Sequence, residues 1–564
     1  MQRTFLDKSF KVTTWEALKP YFDTLLNAAI ESKEELVQWF KDRSELESVI
    51  SEDMAWRYIK MTCNTEDEVI RETFNDFIQN IEPQIAPISD ALNKKIVDSL
   101  YLKEIQSQSG YDIMIREINK EIALFREENI SLFTEMQTES QKYGQISGAM
   151  SITLNNKEVT MQQAAVELQS TNRVHRQMVY ELISQRRLDD KEKLETLFDK
   201  LISIRHQIAI NTGFENYRDY KFKAMGRFDY SAQDCFDMHD SIQHEVVPLL
   251  NELALNRKNK LGVDSLKPWD KAVDPEGMKP LMAFDTGDDL LQKSIACFNR
   301  IDPFFGGCLQ KMNQMGHLDL VSRKGKAPGG YNYPLAESGV PFIFMNATST
   351  LRDMVTLMHE GGHAIHAFLA DSLELNDFKN TPSEVAELAS MSMELISMDA
   401  WDEFFDNEED LKRAKREHLE QLIETLPWVA VIDKFQHWIY ENPNHSQEER
   451  KIAWGYIFAS FSDTITDWDG LEINKSYMWQ KQLHLYEVPF YYIEYGMAQL
   501  GAIAVWKNYK ENKSKGLAGY KAALELGYTK SIPEIYKAAN VQFDFSRTYI
   551  KELMIFVKSE LDSI

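Results

Sequence analysis

The sequence predicts a mainly α-helical protein, and three observations carry that prediction. Glycine and proline are scarce in the 564 residues, at 24 and 16, so little of the chain is marked for turns. Apolar residues recur at steps of three and four over long stretches, the period of a helix with one buried face. Runs of β-type residues break this rhythm at only two places.

Taken in order, Trp15, Leu18, Tyr21, Phe22 and Leu25 share one helical face, as do Phe74, Phe77, Ile78 and Ile81. Residues 15 to 140 therefore read as several helices, each solvated on one side. At 151–161, two short β-type runs flank Asn155-Asn156, the pattern of a hairpin with a tight polar turn. The stretch 259–287, with Pro268, Pro275 and Pro280, reads as loop. Leu318–Val321 and Pro341–Thr348 read as strands joined by a flexible Gly/Pro loop over 324–331. After 350 the pattern is helical almost to the end. The expected division is an N-terminal helical lobe over 1–200, with the hairpin, and a region over 201–564 that holds the motifs described next.

Charge and cysteine usage exclude some functions. With 63 Lys+Arg against 88 Asp+Glu, the net charge of −25 argues against a general binder of nucleic acid or anionic membranes. Cys63, Cys235, Cys297 and Cys308 are scattered without a CxxC, which predicts a reducing compartment and no cysteine-based metal site. No apolar leader is visible at the N-terminus and no window approaches 18 apolar residues, so a cytoplasmic protein is expected.

The most informative segment is Met358-His359-Glu360-Gly361-Gly362-His363-Ala364-Ile365-His366, which contains HExxH. Residues i and i+4 lie one turn apart on a helix face, so His359 and His363 can converge on one cation while Glu360 stands beside it. Zinc lowers the pKa of a bound water to about 7, within reach of such a glutamate acting as base. The context is helical. Ser349 or Thr350 can cap, and Leu351, Val355 and Met358 supply apolar spacing. Two glycines cost about 1 kcal/mol each inside a helix, which points either to a close approach to that backbone or to loose packing there. His366 lies on the same face but about 10 Å along the axis from His359, too far for the same ion, and reads as a buried polar or supporting residue.

Catalytic zinc takes three protein ligands, and the next helix offers candidates in Thr381-Pro382-Ser383-Glu384-Val385-Ala386-Glu387 through Glu394. Thr381 with Glu384 makes a capping box and Pro382 fits the first helical position. Glu387 is then free to be the third ligand, and Glu394, two turns on, to orient a ligand histidine. HExxHxxGxxH would need glycine at His366 and histidine at Leu369, and the aminopeptidase spacing would place its acid at Pro382, so both fail.

The blocks HEGGHAIH, PSEVAELASMSME, GHLDLVSRKGKAPGGYNY, TGFENYRDYKF and His484-Leu485-Tyr486-Glu487-Val488-Pro489-Phe490-Tyr491-Tyr492-Ile493-Glu494-Tyr495-Gly496 resemble the thimet oligopeptidase and oligoendopeptidase F family of zinc metallopeptidases, in its bacterial, Pz-peptidase-like branch. The resemblance implies two helical lobes enclosing a deep substrate channel, with a small β-sheet next to the HExxH helix. It implies one Zn²⁺ on His359, His363 and Glu387, with Glu360 as general base. It also implies that His484, Tyr492 and Tyr495 hold the substrate and the oxyanion. The segment 484–495 is one residue shorter than in thimet-type members, so Tyr491 or Tyr486 can hold one of these places. The implied activity is cleavage of internal bonds in short unstructured peptides, with no nucleic-acid or membrane partner. A dipeptidyl carboxypeptidase of similar fold and a non-catalytic zinc-containing peptide-binding scaffold are the alternatives. For the strand at 341–348, a free edge that pairs with a peptide and a small structural sheet both remain open.

Overall fold

A computed structural model describes residues 3–327 and 329–564, and helices dominate it. The first expected face forms the helix Trp15–Asn27, capped by the Thr14 hydroxyl and burying Leu18, Phe22 and Leu25. The second forms the helix Glu68–Asp76, which widens into a π-helical turn over Phe77–Ile81. The predicted hairpin is present as β1 (Ser151–Leu154) and β2 (Lys157–Thr160), antiparallel with Leu154 opposite Lys157. Asn155 and Asn156 both take positive φ, 50° and 62°, which is how a two-residue turn matches the twist of its strands.

The chain divides into two compact units. The first comprises Met1–Phe125, Met282–Lys415 and Ala498–Phe543; the second comprises Arg126–Leu281, Arg416–Met497 and Asp544–Ile564. Each unit is thus assembled from three separate segments, whereas the sequence reading divides the chain once, near residue 200. Among the described residues, no helix is long and apolar enough to cross a membrane.

The sheet of the first unit comprises β3 (Leu318–Val321), β4 (Tyr331–Tyr333) and β5 (Phe342–Ala347), in the order β3-β5-β4. β5 pairs parallel with β3, Leu318 opposite Ile343, and antiparallel with β4, Tyr331 opposite Phe344. Both sides of β5 are therefore occupied, which excludes the free edge and leaves the small structural sheet of the two open readings. The reason is Tyr331-Asn332-Tyr333, which begins at the last residue of the expected loop and pairs as a strand, with the Tyr331 and Phe344 rings stacked at 4.8 Å. The loop before it is pinned. Lys326 Nζ donates to Asp319 Oδ1 at 2.8 Å and to the Val321 carbonyl at 3.1 Å, and lies 4.4 Å from the Phe344 ring centre. Phe342 and Phe344 pack on Ala55 and Ile59 of the long helix Lys33–Cys63.

Candidate active site

The motif helix runs Leu351–Ala370 and starts as its sequence requires. Thr350 is the N-cap: its hydroxyl accepts from the Asp353 N–H at 3.2 Å, and Asp353 Oδ2 accepts from the Thr350 N–H at 3.0 Å. This capping box fixes the turn between β5 and the helix that carries HExxH.

The glycine pair serves close packing. A Cβ on Gly361 would lie 2.5 Å from the Phe298 ring, and one on Gly362 would lie 2.6 Å from Ser390 Cα and 2.9 Å from the Ala389 carbonyl oxygen. Only bare backbone lets the motif helix approach the second helix, Ser383–Ser397, this closely. Tyr520 secures the same contact from behind, donating to the Ala389 carbonyl at 2.8 Å.

That approach brings the acids of the second helix to the histidines. Glu387 Oε2 lies 3.3 Å from His359 Nε2 and 3.8 Å from His363 Nε2. One donor atom from each of the three residues falls within 4.8 Å of the others. Donors around a tetrahedral zinc at ~2.0–2.1 Å sit ~3.4 Å apart, so the set fits such an ion with small adjustment. Glu394 Oε1 lies 2.6 Å from His359 Nδ1. A carboxylate there accepts a hydrogen bond from Nδ1–H, which fixes the ring and leaves Nε2 as the nitrogen that can ligate a metal. The expected capping box at Thr381 and Glu384 does not form. The helix begins at Ser383 with Pro382 as its N-cap, and Glu384 turns inward, 3% exposed.

Burial works against charge throughout this cluster. It pushes Glu360 up to about 7, helped by Glu387 and Glu394 and opposed by His359. It pulls His363 down to about 4, against the pull of Glu387. For His359, burial is outweighed by the hydrogen bonds to Glu387 and Glu394, and the imidazole titrates well above its ordinary range. His366 is buried, its Nε2 without a hydrogen bond, and burial with the nearby His363 holds it down at about 3.

His484, Tyr491, Tyr492 and Tyr495 form a second cluster, in the other unit. His484 lies on the short helix Leu483–Glu487, and Tyr492 and Tyr495 lie on the first turn of Tyr492–Glu511. Ring centres are 4.9 Å apart for His484 and Tyr492, 5.8 Å for His484 and Tyr495, and 6.2 Å for His484 and Tyr491. Tyr486 points elsewhere, buried and stacked on Tyr143 at 4.4 Å. A relay that sequence reasoning missed fixes the imidazole. Trp428 Nε1–H donates to Gln482 Oε1 at 3.0 Å, which leaves the Gln482 amide to donate to His484 Nδ1 at 2.6 Å. The proton of a neutral His484 then sits on Nε2, making that atom a donor. Between the two helices Phe490 adopts φ 67°, held by hydrogen bonds from Arg227 to its carbonyl and from its N–H to Gln436 Oε1 at 2.6 Å.

A helical fold carrying HExxH on one helix and a converging carboxylate on the next defines a metallopeptidase. The model described as Peptidase family M3 matches residues 166–292 and 306–555, and that described as Peptidase M3 N-terminal domain matches 5–125. The chain belongs to peptidase family M3. It is 22% identical over 493 residues to Oligopeptidase PepF of Bacillus subtilis (strain 168), covering 83% of this chain and 71% of that protein. It is 24% identical over 333 residues to an Oligoendopeptidase F homolog of Borreliella burgdorferi, covering 57% of this chain and about half, 54%, of that protein. A solved structure of Pz peptidase A with an inhibitor superimposes with TM-score 0.92 at 26% identity, covering 100% of this chain and 99% of that one. The family implies a metal cofactor, and His359, His363 and Glu387 are a donor set of the right chemistry to hold it.

Proposed function

We propose that the protein is a zinc-dependent oligoendopeptidase that hydrolyses internal bonds of short, unstructured peptides. The observation that carries this reading is the convergence of His359, His363 and Glu387 beside a buried Glu360. In it, one zinc ion is held at this site by those three residues, with Glu394 orienting His359. Bound there, zinc supplies a Lewis acid that polarises a carbonyl and acidifies water to a pKa of about 7. Glu360, itself raised to about 7, takes the proton of the attacking water and passes it to the leaving amine. His484 Nε2–H and the hydroxyls of Tyr492 and Tyr495 donate to the substrate and to the developing oxyanion, where one donor contributes about 2.7–4 kcal/mol. A cytoplasmic location fits four cysteines that form no disulfide, and cell fractionation tests it.

Glu360→Gln tests the chemistry, with metal content measured alongside hydrolysis of an internally quenched peptide blocked at both ends. The expected outcome is a loss of at least ~10²-fold at unchanged metal content. Hydrolysis surviving in the variant would remove Glu360 as base. Failure of the wild-type protein to cut any doubly blocked peptide would exclude the endopeptidase reading and leave carboxypeptidase action. In the same assay His484→Ala and Tyr495→Phe lower kcat at constant metal content; an unchanged kcat would remove them from the donor set.

A further inference from the structure

We infer a second metal site, remote in sequence from HExxH, made by Cys235, Asp433 and His437. Cys235 lies on the helix Ala232–Glu245, while Asp433 and His437 lie one turn apart on Glu408–Glu441. Cys235 Sγ, an Asp433 oxygen and a His437 ring nitrogen all fall within 4.8 Å of one another. All three residues are buried, at 0%, 0% and 1% exposure.

The hydrogen bonding is that of an incomplete site. His239, one turn after Cys235, lies with Nε2 2.9 Å from Asp433 Oδ2 and orients the carboxylate. Asp433 Oδ1 and both ring nitrogens of His437 have no hydrogen bond, although His437 Nε2 stands 3.2 Å from Asp433 Oδ2. Each buried polar group left so costs about 1–3 kcal/mol, and folded proteins carry few of them. Phe236 and Phe490 close the cluster, with ring centres 4.6 and 5.4 Å from that of His437, and supply no polar partner. A dication answers each of these features. It takes the lone pairs of His437 and Asp433, and a thiolate plus a carboxylate balance its charge. The sulfur–imidazole–carboxylate set selects zinc among the common cations. With no exposed ligand, the ion enters during folding and acts on structure. The helix position after Asp433 and before His437 also carries Gln436, the acceptor for the Phe490 N–H, so the site braces the turn that precedes Tyr492.

The test is to produce the full chain in cobalt-supplemented medium and record its absorption spectrum with its metal content. Thiolate-to-cobalt charge transfer in the near ultraviolet is expected, lost in Cys235→Ala. The HExxH site has no cysteine and cannot give that band, so the result stands or falls independently of the function proposed above. No thiolate band in the wild-type protein, or a band that survives Cys235→Ala, would overturn the inference, whatever the number of ions bound.

Discussion

Replacing Gly362 by alanine tests whether the approach of two helices sets the metal geometry. The added Cβ would stand 2.6 Å from Ser390 Cα and 2.9 Å from the Ala389 oxygen, where ordinary contact begins at 3.4 Å. Both neighbours are backbone, so no side-chain rotation relieves the overlap; the Ser383–Ser397 helix must retreat by about 0.8 Å. Overpacking of this kind costs about 1–3 kcal/mol, of which the helix propensity of alanine returns about 1. Stability should therefore fall only modestly. Glu387 moves with Ser390, and a displacement near 1 Å at a reacting centre costs on the order of 10²-fold in rate. The assay is kcat/KM on a quenched peptide, with bound metal and Tm measured on the same preparation. Gly361→Ala is the contrast: its Cβ meets the buried Phe298 ring, so stability should suffer while the carboxylate stays in place. A Gly362→Ala enzyme with kcat/KM within threefold of wild type and full metal content would refute this reasoning.

Two further outcomes follow from neighbouring side chains. Glu394→Gln removes the charge 2.6 Å from His359 Nδ1 and should weaken zinc binding by about 10–100-fold, read by competition with a chromophoric chelator; an affinity within twofold of wild type contradicts the orienting role. His366, held down at about 3 by burial, refuses a proton that the unfolded chain accepts below about 6.5. Its contribution to stability is therefore intact above about 6.5 and is lost as pH falls toward 3, on the order of 2 kcal/mol between pH 7 and about 4.5. His366→Leu should flatten the acid limb of a denaturation profile, and identical limbs for variant and wild type would exclude the effect.

What could be read from the sequence was local. The i,i+4 histidines, the Thr350 cap and the close approach at Gly361-Gly362 all follow from helical period and backbone sterics, and the structure supplies a geometric reason for each. The hairpin turn at Asn155-Asn156 is equally local. What failed depends on partners that a short window does not contain. Glu384 matches a capping pattern, yet its side chain turns into the interior, where Tyr536 donates to its carbonyl at 3.0 Å. Tyr331-Asn332-Tyr333 alternates two tyrosines but is too short to mark a strand by itself, and becomes one through β5. The relay from Trp428 through Gln482 spans 54 residues. Asp433 meets His239 across 194, so neither half of that cluster announces the other.

The three-segment make-up of each unit also constrains how the chain is made. The first unit lacks Ala498–Phe543 and the second lacks Asp544–Ile564 until those segments have been synthesised. Neither can complete its core on the ribosome in the way a contiguous N-terminal domain does, and early apolar residues such as Ala55 and Ile59 must wait for Phe342 and Phe344 to cover them. Contacts of such long sequence separation slow folding and lengthen exposure to aggregation. Removing everything after a cut placed before residue 498 takes material from both units at once, so neither HExxH nor the His484 cluster can be isolated with its own unit by shortening the chain from that side.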